Sequence, residues 1–250
     1  MNNPVIAVTR VANSCALVEI AGHAVLTDPW FTERWYLKRG EPLGMPIEEV
    51  PPVAAIVATS FAANHWDLRA LRRYPHKEAT VVLTATDRMA RQARALGYPL
   101  AERLPWGSAH VFGNGLRIAS TPAGRLMKWH HNAYVISAGG LRVFFGGEIR
   151  DVGLLRDLLP VDVALLPTNG LTPVLGKPLV MGHREAVDGA TVLRARALVA
   201  VHDAHAADAM SLVFRRRGSA AEARELAAAE APGLDVVVLP PGRRWEFAEA

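Results

Sequence analysis

Ala58-Thr59-Ser60-Phe61-Ala62-Ala63-Asn64-His65-Trp66-Asp67 follows directly on the apolar run Val53-Ala54-Ala55-Ile56-Val57. A β-like run that stops abruptly, delivers small and polar residues and then starts a helix at Asp67 has the form of an active-site loop at a strand end. Only one imidazole, His65, stands in it.

Upstream, residues 5–11, 16–20 and 24–27 read as strands of a meander that ends at Asp28-Pro29-Trp30. Proline forces the chain out of the sheet there, so Asp28 is expected at a strand end facing a cleft. Residues 31–52, rich in Pro, Gly and charge, are too long for a simple connector and are expected to cover a site. Downstream, helices are expected over 68–73 and 87–96, the second capped by Thr86 or Asp87, with a strand over 80–83 between them. The pattern then returns to strands at 109–112, 116–120, 133–137 and 141–145, with glycine-rich hairpin turns. Strands at 163–166, 197–201 and 235–239 alternate with helices expected over 184–195, 206–217 and 220–229. A meander followed by βα units, twice over, allows a four-layer α/β/β/α sandwich or a doubly wound single sheet, and periodicity does not choose.

The 250 residues, half of them hydrophobic and 21% charged, have a globular composition and are read as a single domain spanning 1–250. The formal charge of +4 is spread over scattered arginines with no aromatic-interleaved basic stripe, which argues against nucleic acid as a partner. One cysteine, Cys15, rules out an internal disulfide framework. The chain shows no secretory leader pattern and no transmembrane segment, so a cytoplasmic location is expected. A homo-oligomer is the default expectation, because closed symmetric assemblies are common.

Polar residues gather at the expected strand ends: Asp28, residues 60–67, 121–131, 146–151, 167–170, 181–183 and 202–205. Together with Leu26-Thr27-Asp28-Pro29-Trp30, Arg142-Val143-Phe144-Phe145-Gly146-Gly147-Glu148, Asp162-Val163-Ala164-Leu165-Leu166-Pro167 and Val201-His202 they carry a resemblance over nearly the whole chain. The sequence resembles the metallo-β-lactamase-fold superfamily, in the branch of ascorbate-6-phosphate lactonase and N-acyl-phosphatidylethanolamine phospholipase D. The resemblance implies the four-layer αββα sandwich. It also implies a binuclear motif His-x-His-x-Asp-His, a histidine after Pro-Ala, an aspartate in a Gly-Asp-Thr turn and a late histidine after a strand.

Here those positions read Ser60-x-Ala62-x-Asn64-His65, then Gly124, Glu148 and His202. One metal site would retain no nitrogen ligand, and the other would keep His65, Glu148 and His202. Two imidazoles and a carboxylate suit a single Zn²⁺, Mn²⁺ or Fe²⁺. The resemblance thus implies a hydrolase-like protein with at most one metal, acting on an ester, lactone or phosphodiester. The alternatives are a metal-free acid/base enzyme catalysing a cyclisation, elimination or isomerisation with His65, Glu148 and His202, or a ligand-binding pseudoenzyme.

His183 is expected near the substrate as a further catalytic group. Asp28, Asn64, Lys128, Trp129, His130 and His131 are expected to bind a small-molecule ligand or substrate, the last four forming a loop with a cation, an aromatic plate and two imidazoles. Asp67 reads as a helix N-cap and His205 as an exposed helix start.

Overall fold

A computed structural model describes residues 5–126 and 129–247, and only the backbone at 125, 126 and 129. The first sheet is built from β1 (Ile6–Ala12), β2 (Cys15–Ile20), β3 (His23–Thr27), β4 (Ala55–Ala58), β5 (Val81–Thr84) and β6 (Ala101–Arg103) side by side in chain order. The last strand of the chain, β16 (Arg244–Phe247), closes its β1 edge. The second sheet runs from β7 (Ala109–Val111) through β8 (Arg117–Leu126), β9 (Trp129–Ala138), β10 (Leu141–Phe145), β11 (Val163–Pro167) and β13 (Ala197–Val201) to β15 (Asp235–Val237). Each sheet is antiparallel in its meander and parallel where βα crossovers feed it.

Period-two alternation explains the layering. Ala55 and Val57 of β4 face the second sheet, meeting Tyr134, Phe145, Leu165 and Val199 in the central core, whereas Ile56 and Ala58 face outward. Val143 and Phe145 of β10 likewise point to the central core and Phe144 points away from it. The outer faces are covered by helices. On the first sheet α1 (Leu68–Arg73) contributes Ala70 and Leu71, and α2 (Asp87–Ala95) contributes Met89 and Ala93, four residues apart on one face. On the second, α3 (His183–Val192) contributes Ala186, Val187 and Ala190, and α4 (Ala220–Glu230) contributes Ala223 and Ala227. Caps set two of the helix starts: Asp67 accepts from Arg69 and Ala70 N–H ahead of α1, and the Thr86 hydroxyl accepts from Met89 N–H ahead of α2. The result is the four-layer αββα sandwich.

Two elements differ from expectation. Residues 206–217 form no long helix: Asp208 caps a 3-10 turn, Ala209–Leu212, and Phe214–Arg215 (β14) pairs with Thr172–Pro173 (β12). Val174 N–H bonds Val213 O and Arg217 N–H bonds Asn169 O, so backbone pairing with a neighbouring loop wins over local helix propensity. The expected loop over 121–131 is instead the end of a long hairpin, with Thr121 opposite Ala133 and Gly124 opposite His131 across a bulge. Strands β6 and β16 were not expected from their short, charge-interrupted sequences; pairing partners in β5 and β1 define them.

Candidate active site

The strand ends of the two sheets meet around His65. After β4 the chain turns so that His65 and Trp66 N–H both bond Ala62 O, at 2.9 and 2.8 Å. Asp67 ties this turn to the segment after β3, accepting from Phe31 N–H at 3.2 Å and Thr32 N–H at 2.6 Å while capping α1. His65 is completely buried, and its Nδ1 lies 2.7 Å from Asp28 Oδ2.

Asp28 also accepts from Thr59 N–H and from the Thr59 hydroxyl, each at 2.7 Å, and adopts φ 34°, a strained value for a residue other than glycine. With three donors aimed at it, Asp28 is an acceptor throughout, so His65 Nδ1 carries a proton. The structure therefore places Asp28 behind His65, fully buried, and away from the cavity where a substrate contact was expected.

Glu148 is delivered by the turn after β10. Gly147 there has φ 55°, and a Cβ on it would collide with the Thr59 side chain, so only glycine lets this turn sit against the His65 loop. Glu148 Oε1 lies 3.3 Å from His65 Nε2, and Oε2 lies 3.1 Å from His131 Nδ1. These are charge contacts and not directed hydrogen bonds: His65 Nε2 and Glu148 Oε2 are both buried without a hydrogen-bond partner.

His202 follows β13 in a left-handed conformation, φ 50°, its N–H bonded to Asn13 O of the β1–β2 turn at 3.1 Å. Its Nδ1 is 3.2 Å from Asn169 Oδ1. Asn169 spends its own N–H₂ on Ala204 O at 3.1 Å, which fixes the amide oxygen towards His202 and makes His202 Nδ1 the donor. His202 Nε2 is then a buried lone pair with no partner. The His65 and His202 rings stack with centroids 5.6 Å apart and 18° between their planes.

Electrostatics separates the two imidazoles. Burial opposes a charge on His65, but Glu148 and then Asp28 outweigh it and push its pKa up to about 10. Burial, reinforced by the charge on His65, pulls His202 down to about 3. Burial acts upward on Glu148, and His65 and His131 overcome it, holding the carboxyl well below its usual range. Asp28 moves up, because its burial exceeds the attraction of His65.

A metal fits this set. Each of His65, Glu148 and His202 offers one ligand atom, and these atoms lie within 4.8 Å of one another. The Nε2 atoms of His65 and His202 are buried with no hydrogen-bond partner among the described residues, and polar groups are costly to bury in that state unless a ligand or ion engages them. Both Nδ1 atoms are held by hydrogen-bond partners, the arrangement that orients ligating histidines. His65, Glu148 and His202 could therefore bind one divalent metal.

Glu148 and His202 open onto a cavity of about 270 Å³ that Asn13, Asn64 and Asn169 also line. His131 is buried beside Glu148, outside that lining, and His130 stacks on Trp106 with ring centroids 4.5 Å apart. Lys128 and the Trp129 side chain lie outside the described residues. His183 begins α3, its Nδ1 enclosed near Gly218. It does not line the cavity. Sequence reasoning did not single out Thr59, Asn169 and Asn13, nor Lys38, Arg39 and Arg216 of the cavity wall. Asn169 stood in a flagged strand-end segment, 167–170, but its role depends on the amide orientation.

The β-lactamase superfamily domain matches residues 23–202, a span that contains Asp28, His65, Glu148 and His202. The chain belongs to this metallo-β-lactamase-fold superfamily. Among superfamily relatives, a metal-dependent hydrolase of the UPF0173 group from Pyrobaculum aerophilum is 26% identical over 196 residues, covering 74% of this chain and 79% of its own. A metallo hydrolase from Ignicoccus hospitalis shares the fold with a TM-score of 0.74 at 20% identity, covering 98% of this chain and all of its own. An isothiocyanate hydrolase from Delia radicum gut bacteria superposes with a TM-score of 0.72 at 20% identity, covering 96% of this chain and 99% of its own.

Proposed function

We propose that the protein is a hydrolase of this superfamily working with at most one divalent metal, held by His65, Glu148 and His202, on an ester, lactone or phosphodiester. The observation that carries the reading is the convergence of three ligand atoms within 4.8 Å, with both imidazole Nε2 atoms buried and unpartnered, at the wall of an open cavity. Bound there, Zn²⁺, Mn²⁺ or Fe²⁺ supplies Lewis acidity for polarising a carbonyl or phosphoryl oxygen and for making water acidic.

The chain's own residues do the rest. Asp28 holds His65 in the tautomer with Nδ1 protonated, and Asn169 does the same for His202, so both Nε2 lone pairs face inward. His131 steadies the outer oxygen of Glu148. Asn64, on the cavity wall, presents a side-chain amide suited to hydrogen-bond an oxyanion.

Supporting a single metal, the positions at which the resembled motif has its other histidines offer no nitrogen. Ser60 Oγ is occupied by Ala62 N–H at 3.2 Å, Ala62 offers a methyl group, and among the described residues nothing lies within 4 Å of where a Cβ on Gly124 would stand. The test is metal content of protein purified without chelator, for wild type, His65→Ala and His202→Ala. About one equivalent in the wild type and none in either variant supports the reading. Two equivalents, or none after incubation with Zn²⁺, Mn²⁺ and Fe²⁺, overturns it.

One observation favours a second reading. Without a metal, His65 is cationic and His202 neutral at neutral pH, a stacked acid and base beside the cavity. Such a pair suits a metal-free cyclisation, elimination or isomerisation. Retained turnover in chelator-treated protein would select it. A purely scaffolding role is less well supported, because Phe61 and Trp66 line a separate recess with Arg34 and Arg88 and leave the cavity beside Glu148 unfilled.

A further inference from the structure

We infer that the cavity beside Glu148 and His202 binds an organic anion with a compact apolar body, and that this is the substrate class of the site. The inference deepens the hydrolase reading and rests on it for the word substrate; the binding it asserts is independent of any metal.

The cavity has two kinds of wall. Trp30, Leu171, Leu179, Met210 and Phe214 give it an apolar side. Its volume of about 270 Å³ suits a small organic ligand rather than a polymer. The other side is basic, formed by Lys38, Arg39 and Arg216.

These three cations share two carboxylates that are not part of the lining. Lys38 Nζ lies 3.1 Å from Glu33 and Arg39 lies 4.0 Å from the same residue, while Arg216 lies 4.0 Å from Asp208. One positive charge is left over among these ion pairs, two of the three are long, and the further bonds of the arginines go to neutral groups, Arg39 Nη1 to Phe31 O at 3.2 Å and Arg216 Nη1 to Ala206 O at 3.1 Å, while Arg39 Nε is buried without a partner among the described residues. Glu148, the one acid in the lining, already faces His65 and His131. A ligand anion would complete this set, and a cation would meet repulsion.

The mouth supports an apolar body as well. Trp35, Leu175, Leu212 and Val213, on the three segments that supply the walls, are 82%, 95%, 83% and 51% exposed. The segments are tied together by Val174 N–H to Val213 O and by Lys38 N–H to Asp208. The exposed apolar side chains therefore lie on segments that are bonded to one another and that also supply lining residues of the cavity.

The experiment is calorimetric titration of chelator-treated protein with octanoate, octanamide and octylammonium, probes of one chain length and three charges. Octanoate is expected to saturate one site at least about tenfold more tightly than octanamide, with no octylammonium binding. Lys38→Glu, a change at a half-exposed side chain, should weaken octanoate about threefold to fivefold. Leu179→Trp, which fills the apolar wall, should remove saturable binding. Equal affinity for the three probes, wild-type binding by Leu179→Trp, or no octanoate binding by the metal-free protein overturns the inference. Because the titration needs no metal, its failure is separable from failure of the metal-content test.

Discussion

Replacing Asp28 by asparagine exchanges one oxygen for an N–H₂ group and should weaken metal binding without unfolding the protein. Asp28 Oδ1 accepts the Thr59 N–H, a backbone donor that cannot rotate. The asparagine oxygen must take that position, which turns its N–H₂ towards the Thr59 hydroxyl and His65 Nδ1, where Asp28 Oδ2 now accepts from both. The hydroxyl can rotate and accept. His65 can accept only by moving its proton from Nδ1 to Nε2, the atom whose lone pair is needed for a metal. Binding then requires the old tautomer against an opposing donor, at a cost of about 1–3 kcal/mol for the unmade hydrogen bond, or roughly fivefold to 140-fold in affinity at about 1.4 kcal/mol per decade. Folding stability should fall by no more than about 2 kcal/mol, because each buried donor keeps an acceptor. Competition against a chromophoric chelator gives the affinity, and ¹⁵N shifts of His65 in metal-free protein report which ring nitrogens carry a proton: both in the wild type, where the ring is cationic, and Nε2 alone in Asp28→Asn. Unchanged affinity within twofold, or a variant His65 still protonated at Nδ1, would refute the reasoning.

Metal-free protein should be most stable near neutral pH. His65, raised to about 10, contributes stability that is complete below its unfolded value near 6.5 and lost as pH rises from there to about 10. His202, lowered to about 3, contributes stability present above 6.5 and lost as pH falls from there to about 3. Urea midpoints across pH should show the acid limb shrink in His202→Ala and the alkaline limb shrink in His65→Ala. Metal uptake at pH 7 should release about one proton, from His65 Nε2, measurable by calorimetry in buffers of different ionisation enthalpy. Gly147→Ala should cost about 2–5 kcal/mol in denaturant unfolding, combining a left-handed backbone with a collision against Thr59. His131→Ala should fold and weaken metal binding about tenfold, since Glu148 loses the contact on its outer oxygen, and His131→Gln should recover part of that loss.

The sequence by itself determined most of the elements. The apolar runs at 53–57 and 163–166, the strand pattern over 141–145 and the caps at Asp67 and Thr86 are local patterns that each encode one element, while the choice of the four-layer arrangement came from the family resemblance. The strand ends gave a set of polar segments, and the resemblance to the superfamily's metal motif singled out His65, Glu148 and His202 among them, across 137 residues. What the sequence left undecided was every relationship that depends on a partner distant in the chain. Residues 206–217 could not be read correctly because the segment makes only a short 3-10 turn of its own, while the backbone of residues 213–217 pairs with residues 169–174. The tautomers of His65 and His202 are set by Asp28 and Asn169, 37 and 33 residues away, and the pKa separation of the two rings by burial that exists only once both sheets close. Only the tertiary structure could decide these, since hydrogen-bond direction and desolvation belong to the packed arrangement and leave no periodic trace along the chain.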